Sequence, residues 1–162
     1  MESIRIVSQS MECRKAMEWL FTTISSSCAT SRHIVRRLKT IGSKGDGKEQ
    51  FKRPSFITSA DNKLYVTEYG NNGRVKVMDE QGTFVDQFSA SNPTGIAISG
   101  KDIIVSEYGK GQVSLYDKNH KFAKVLLECS NPWGVFITGR GRVIVTADKI
   151  YISGMVGVDI VL

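Results

Sequence analysis

The chain has 162 residues, of which 41% are hydrophobic and 23% are charged. This length and composition fit one globular domain and argue against collagen, a disordered chain or a membrane bundle. The formal charge of +6 is uneven, because residues 1–40 carry seven Lys/Arg and three acidic residues, whereas residues 41–162 carry fifteen and thirteen. The nearly neutral second region argues against the clustered basic face of a dedicated nucleic-acid binder.

Residues 1–32 form a separate N-terminal segment, because every glycine and every proline of the chain follows it. The pattern at residues 11–24 has only a ragged apolar face, so a short helix and a tail both remain open. The apolar stretch at residues 16–24 is interrupted by Glu18 and is too short for a signal peptide or a membrane span. We therefore expect no membrane association.

Three cysteines, Cys13, Cys28 and Cys129, lie far apart and show no Cys-x-x-Cys spacing. This pattern predicts neither a zinc site nor a disulfide framework. An odd number of scattered cysteines in a chain without a signal peptide is typical of a reducing compartment. We expect a cytoplasmic location.

The three prolines of the chain mark an internal repeat. Pro54, Pro93 and Pro132 are spaced by 39 residues, and they open the similar phrases PSFIT, PTGIAI and PWGVFI. The phrase LYVTEYG at residues 64–70 recurs as IIVSEYG at residues 103–109, and VIVTA at residues 143–147 begins a third copy that then loses the pattern. A fixed period of this length is typical of propellers and solenoids.

Each repeat contains phrases of four to six residues that are rich in Val, Ile, Tyr and Phe, which is a strand signature. Turn residues that tolerate positive φ separate the phrases, among them Asp61-Asn62, Gly82 and Gly100. Proline is accepted where a strand begins. Four short antiparallel strands in about forty residues make one blade of a β-propeller. An immunoglobulin-like sandwich also has short strands, but its strand sequences need not repeat at a fixed period.

The amino-acid sequence of the repeat resembles the NHL repeat. The resemblance is carried by the glycine-rich lead and Phe-x-x-Pro of residues 41–54, by LYVTE from residue 64, and by RVKVMD at residues 74–79. It covers roughly residues 33–148. Glu68 and Glu107 depart from the family pattern, which has Asp, and residues 71–74 read Asn-Asn-Gly-Arg instead of Asn-His-Arg.

The resemblance implies an all-β fold, an incomplete β-propeller of NHL type within residues 33–162. We expect about three four-stranded antiparallel blades that begin near residues 54, 93 and 132, preceded by a strand at residues 33–41. The off-pattern residues 151–162 are apolar and are predicted to form an exposed edge. Since the ring cannot close on itself, open blade faces remain, and self-association is one way to cover them.

One end of the blades is the candidate binding face, because the link into the first strand and the link between the second and third strands lie at the same end of a meander. The candidate residues are basic, amide and aromatic: Arg53, Tyr69, Asn72, Arg74, Asn92, Tyr108, Lys110 and Trp133. Such side chains dominate protein interfaces and also stack on unpaired bases. For Tyr69 and Tyr108, packing between neighbouring blades is an equal alternative.

Two further predictions concern individual acidic and histidine residues. Glu68 and Glu107 end their strands and are expected to accept hydrogen bonds from loop amides. The two histidines, His33 and His120, lie in different repeat contexts, so a histidine-rich metal site is not expected. We predict no catalytic residue, no metal and no cofactor.

The resemblance therefore implies a non-catalytic scaffold that binds a protein partner through one face, as a fragment of a larger tripartite-motif-like protein. Ubiquitin-ligase activity would need a RING domain, which is missing here. Three alternatives remain open: an RNA-binding NHL propeller, a partial chain with a purely structural role or no function, and a metal-dependent propeller lyase or lactonase. The last needs ligands on inner strands, where the sequence places apolar or hydroxyl residues such as Ile57, Thr58 and Ile98.

Overall fold

The computed structural model describes residues 40–155, in which all regular structure is β-strand. Two four-stranded antiparallel sheets and one three-stranded antiparallel sheet follow one another along the chain, after a short parallel pair. The predicted all-β class is confirmed. The predicted N-terminal helix or tail and residues 156–162 lie outside the described residues, as does nearly all of the predicted strand at residues 33–41.

We number the sheets as blades 1 to 3 and call residues 41–51 the lead segment. The lead segment contains β1 (Ser43–Lys44) and β2 (Gln50–Phe51). Blade 1 contains β3 (Pro54–Ala60), β4 (Lys63–Glu68), β5 (Arg74–Asp79) and β6 (Phe84–Ser89). Blade 2 contains β7 (Pro93–Ser99), β8 (Asp102–Glu107), β9 (Gln112–Tyr116) and β10 (Phe122–Glu128). Blade 3 contains β11 (Val135–Ile137), β12 (Arg142–Thr146) and β13 (Ile150–Met155).

Within each sheet the strands lie in sequence order, as in a propeller blade. Asp61 and Asn62 join β3 to β4 with φ values of 50° and 58°, the left-handed conformation that a tight hairpin requires. Although the sequence repeat ends after Ala147, Ile150–Met155 still pairs with β12 and lies at the edge of its sheet, as predicted for the part of residues 151–162 that the structure describes. The connection before this strand is only residues 147–149, shorter than residues 69–73 of blade 1, and the shortening shifts the sequence repeat out of register.

The blades pack face to face, and apolar clusters fill both interfaces. Because strand side chains alternate, each blade has an outgoing face toward the following blade and an incoming face toward the preceding one. The first interface buries Tyr65, Val75, Val77, Phe88, Ile96, Ile103, Val105 and Tyr116. The second buries Ala97, Ile104, Val113, Val135, Val143 and Val145.

A hydroxyl that follows a proline also tethers neighbouring blades. Ser55 Oγ donates a hydrogen bond to the Pro93 carbonyl at 2.9 Å. Thr94 Oγ1 donates to the Pro132 carbonyl, also at 2.9 Å. The same position in blade 3 holds Trp133, which has no hydroxyl, so this tether is a property of the first two blades.

At the other end of the blades, a histidine contact joins blade 1 to blade 2. His120 Nδ1 lies 2.6 Å from Asp86 Oδ2, and its ring stacks on Phe88 with centroids 5.0 Å apart. The His120 hydrogen bond holds the pKa of the Asp86 carboxyl below its usual value. The contact thus links β6 to the turn between β9 and β10. Within residues 40–155, no helix has the length and apolar character needed to cross a membrane.

This contact predicts a pH-dependent contribution to stability. Because the pKa of Asp86 is lower in the folded chain than in the unfolded chain, its carboxylate stabilises the fold above the unfolded value of about 4. The contribution is lost as the pH falls through the folded value. Since this carboxylate is half exposed, we predict that Asp86→Asn lowers the free energy of unfolding by less than about 1 kcal/mol near neutral pH.

Urea unfolding between about pH 7 and pH 3 measures this effect. The difference between wild type and Asp86→Asn should shrink toward zero at the acid end, whereas Gln87→Ala, a change at the neighbouring exposed neutral residue, should show no such trend. A difference that does not change with pH would contradict the assignment.

Candidate functional site

In blades 1 and 2, the link into the first strand and the loop between the second and third strands lie side by side, as the sequence predicts. The Tyr69 amide donates to the Arg53 carbonyl at 2.9 Å, and the Tyr108 amide donates to the Asn92 carbonyl at 3.2 Å. Each bond joins the loop after a second strand to the link that precedes the same blade. We call this end the loop face.

Buried carboxylates hold the loops in place. Glu68 Oε1 accepts a hydrogen bond from the Lys52 amide at 2.5 Å, and Glu107 Oε1 accepts one from the Ser91 amide at 2.7 Å. Both glutamates are buried. The prediction that Glu68 and Glu107 bind loop amides is confirmed.

The second oxygen of each glutamate has different partners in the two blades. In blade 1, Glu68 Oε2 accepts from Arg74 Nε at 2.5 Å and lies 3.7 Å from Lys76 Nζ. In blade 2, Glu107 Oε2 accepts from Gln112 Nε2 at 3.0 Å and from Ser114 Oγ. Neutral side chains thus replace the two cations of blade 1.

Lys76 is a buried charged residue beside the loop face whose environment the sequence does not reveal. Its side chain is fully buried, and its Nζ donates to the Gly47 carbonyl at 2.6 Å and to the Gln50 carbonyl. Burial lowers the pKa of this lysine. The available signal was its position between Val75 and Val77 in a strand that is otherwise apolar, but alternation alone does not say that both faces of that strand are covered.

Blade 3 fastens its loops in another way, because Ala147 follows its second strand where the other blades end in glutamate. The Trp133 amide donates to the Thr146 carbonyl at 2.8 Å. Asn131 Nδ2 donates to Asp148 Oδ1 at 3.0 Å. The link into blade 3 is therefore held by exposed groups instead of a buried carboxylate.

Four of the eight candidate residues form one continuous row across the three blades. The Arg53 guanidinium carbon lies 4.9 Å from the centroid of the Tyr69 ring. The Tyr69 and Tyr108 rings meet edge to face at 6.1 Å, and the Tyr108 and Trp133 rings at 6.3 Å. Tyr69 is half-buried, whereas Tyr108 is 37% and Trp133 56% exposed. This aromatic row both connects neighbouring blades and exposes ring surface, so the two interpretations of the tyrosines are compatible.

Three other candidates line a neighbouring groove of about 600 Å³ between blades 1 and 2. They are Asn72, Arg74 and Lys110, and the buried Glu107 also lines this groove. Lys110 Nζ lies 3.8 Å from Glu107 Oε1. The eighth candidate, Asn92, has a φ of 48° and a buried Oδ1 without a hydrogen-bond partner in the described structure. Asn92 therefore shapes the link into blade 2.

The basic candidates are not equally available to a ligand. The Arg74 guanidinium binds Glu68 and also Asp46, at 3.1 Å. Asp46 binds Lys52 as well, at 2.9 Å, and hydrogen bonding to this lysine lowers the pKa of Asp46. Among residues 40–155, no ion pair involves Arg53, so its charge is the one most available beside the aromatic row.

No group of three or more His, Cys, Asp or Glu side chains within residues 40–155 is arranged to hold a metal ion. The metal-dependent alternative would need metal ligands on the inner strands, which are the first strands of the blades. In β3 and β7 they are occupied by Ile57, Thr58, Ile98 and Ser99.

We predict that Glu107→Ala loosens the loop face more than Glu107→Gln does. Alanine removes the acceptor for the partly buried Ser91 amide and for the Gln112 and Ser114 side chains, and an unpaired buried group costs about 1–3 kcal/mol. Glutamine keeps an acceptor oxygen. Hydrogen exchange of the Ser91 amide is the measurement, with Glu80→Ala at an exposed position as control. Equal exchange in Glu107→Ala and wild type would show that the carboxylate does not hold the loop.

The repeated four-stranded meander, packed blade on blade, defines the described residues as part of a β-propeller. The chain is 28% identical over 148 residues to the protein brain tumor of Drosophila melanogaster, a match that covers 78% of this chain and 14% of that protein. That relative is an NHL protein. Together with the repeated sequence segments, this similarity supports a partial propeller of NHL type.

Other comparisons add little to this assignment. No protein-family model matches the chain. A streptogramin B lyase structure is 20% identical to this chain, with a TM-score of 0.44. The match covers 64% of this chain and 41% of the lyase chain. A protein described as a 6-phosphogluconolactonase from Bacteroides uniformis is 13% identical to this chain, with a TM-score of 0.46. The match covers 60% of this chain and 39% of the lactonase chain. At these TM-scores, neither enzyme indicates a function for this chain.

Proposed function

We propose that this chain is a non-catalytic NHL-type scaffold that binds a protein partner through the loop face, as part of a larger tripartite-motif-like protein. The aromatic row carries this proposal. Arg, Tyr and Trp are the side chains that most often dominate the energy of protein interfaces, and here they lie in contact on a sheet framework. Trp133 departs from the repeat, where hydroxyl residues face the next blade, and exposes its indole.

The charge distribution favours a protein over a nucleic acid. Affinity for a phosphate backbone comes from several cations that each neutralise a phosphate. On the loop face, Arg74 and Lys52 are already paired with carboxylates, and residues 41–162 have a net charge of only +2. A partner with an apolar anchor and an acidic group to meet Arg53 fits this surface.

RNA is the second candidate, because rings interleaved with an arginine can stack on unpaired bases. It would bind through the same aromatic row. Its affinity would fall steeply with added salt, whereas binding of an apolar anchor would depend on salt only weakly.

We also propose that the protein is located in the cytoplasm, because its cysteine pattern is typical of a reducing compartment. The first strands of blades 1 and 2 offer apolar and hydroxyl side chains, such as Ile57 and Thr58, and we propose no catalytic role for them. Metal analysis of the purified chain tests the lyase or lactonase alternative, because stoichiometric zinc or calcium would support the enzyme.

The test of the proposed function compares Trp133→Ala and Arg53→Ala with Phe122→Ala. Phe122 is 53% exposed but lies next to the turn between β9 and β10, at the opposite end of the blade. Proteins bound by the wild-type chain in cell extract are identified by quantitative mass spectrometry, with and without ribonuclease. The affinity of the purified partner for each variant is then measured.

We expect Trp133→Ala to weaken partner binding by about 2 kcal/mol or more, roughly thirtyfold, and Phe122→Ala to leave it unchanged. Circular dichroism confirms that each variant keeps its sheets. Equal loss in all three variants, or no loss in Trp133→Ala, would contradict a site on the loop face. Loss of all partners after ribonuclease treatment would favour RNA.

A further inference from the structure

Blade 1 carries a group of basic side chains near the loop face that blade 2 lacks. The two blades are matched by the amide bonds to Glu68 and Glu107 and by strand register. The matched positions hold Lys52, Arg53, Arg74 and Lys76 in blade 1 and Ser91, Asn92, Gln112 and Ser114 in blade 2. Since blade 2 fastens its loops with neutral side chains, this attachment does not by itself need cations. The basic group of blade 1 is therefore open to another role.

Three of these basic side chains line a cavity of about 380 Å³ beside the aromatic row. Its lining includes Lys52, Arg53, Arg74, Tyr69, Asn71 and Asn72. The two acidic side chains of the lining are Asp46 and Glu68. The charge of Glu68 is offset by the fully buried Lys76, whose Nζ lies 3.7 Å from Glu68 Oε2. The cavity thus has an excess of positive charge.

The carboxylate of Asp46, in the lead segment, binds two of these cations. Asp46 Oδ2 lies 2.9 Å from Lys52 Nζ, and Asp46 Oδ1 lies 3.1 Å from Arg74 Nη2. An ammonium and a guanidinium therefore converge on the two oxygens of one carboxylate. The side chains of Asp46 and Lys52 are each 66% exposed, and ion pairs between exposed side chains contribute little to stability. This carboxylate can therefore be exchanged for one from outside at little cost to the fold.

We propose that the cavity binds an acidic side chain of the protein partner, and that Asp46 is an internal competitor which this side chain displaces. The inference rests on the proposed function, because the same partner places its apolar anchor on the aromatic row. Arg53 joins the two sites, since its guanidinium carbon lies 4.9 Å from the centroid of the Tyr69 ring. After the exchange, Lys52 and Arg74 again have a carboxylate partner, and Arg53 gains one.

A phosphate backbone is the less suitable occupant of this cavity. Its affinity comes from several cations, each free to neutralise a phosphate. Of the cations that line the cavity, only Arg53 is without an ion pair within residues 40–155. A single carboxylate, by contrast, fits the arrangement in which Asp46 already lies.

Titration of the full chain with a hexaglutamate peptide that has blocked ends tests the site, with the amide NMR signals of Arg53 and Tyr69 as reporters. Asp46→Asn removes the competitor and should tighten binding about fivefold, the order expected when exposed cations are released from an ion pair. Lys52→Gln removes a cation and should weaken binding about threefold.

Glu80→Gln is the matched control, because it makes the same change of charge as Asp46→Asn. Glu80 is an exposed residue of the turn between β5 and β6, at the opposite end of blade 1, so screening by salt should keep its effect below about twofold. Circular dichroism confirms that each variant keeps its sheets.

Three outcomes would overturn the proposal. The first is equal affinity of Asp46→Asn and Glu80→Gln for hexaglutamate. The second is no binding of hexaglutamate to any variant at millimolar concentration. The third is tighter binding of a uridine hexanucleotide than of hexaglutamate, which would show that the cavity prefers phosphate.

Trp133→Ala separates this proposal from the proposed function. Because hexaglutamate has no apolar anchor, this variant should bind the peptide as wild type does while it loses the protein partner. If Trp133→Ala instead keeps the partner, the proposed function fails, but tighter binding of hexaglutamate by Asp46→Asn would still support the anion site.

Discussion

The loop face depends on a carboxylate buried at the end of the second strand of a blade. Glu68 and Glu107 each reach back sixteen residues to accept an amide hydrogen of the link that precedes the same blade. Arg53 directly follows the Lys52 amide, and Tyr69 directly follows Glu68, so this single bond places the first two members of the aromatic row. A buried polar group without a partner costs free energy, and for this reason the two loops cannot separate without a penalty.

The face-to-face packing of blades places these loops in line with one another. The interface between blades 1 and 2 contains completely buried valines at Val75, Val77 and Val105, and the hydroxyl tethers from Ser55 and Thr94 add a polar contact near the loop face. Since blades 1 and 2 repeat the same attachment, the Tyr69 ring meets the Tyr108 ring of the next blade. The Trp133 indole extends the row where the tether is absent.

Much of the fold follows from local sequence. The prolines mark where β3 and β7 begin, because a strand start is one of the few places in a sheet that accept a residue without an amide hydrogen. Turn residues with positive φ, such as Asp61, Asn62 and Gly82, separate the strands as expected. The sequence also predicts that the two kinds of link share one end, which is a property of any four-stranded meander.

The remainder depends on contacts between distant residues, which a repeat pattern does not contain. The pairing of Arg74 with Glu68 and Asp46 removes an arginine that its sequence context presents as a free binding group. The burial of Lys76 depends on the lead segment, whose Gly47 and Gln50 carbonyls accept its hydrogen bonds. The contact of His120 with Asp86 joins residues thirty-four positions apart in different blades. Strand β13 lies out of register with the sequence repeat because a shortened connection shifts its spacing without preventing its pairing.

Successive blades bring their loops together into one aromatic row. Nuclear Overhauser spectroscopy of the full chain, with the ring protons of Tyr69, Tyr108 and Trp133 assigned by substitution, measures these contacts. We expect cross-peaks between Tyr69 and Tyr108 and between Tyr108 and Trp133, which are far apart in the sequence. The absence of both cross-peaks in a folded, sheet-rich sample would show that the row does not form.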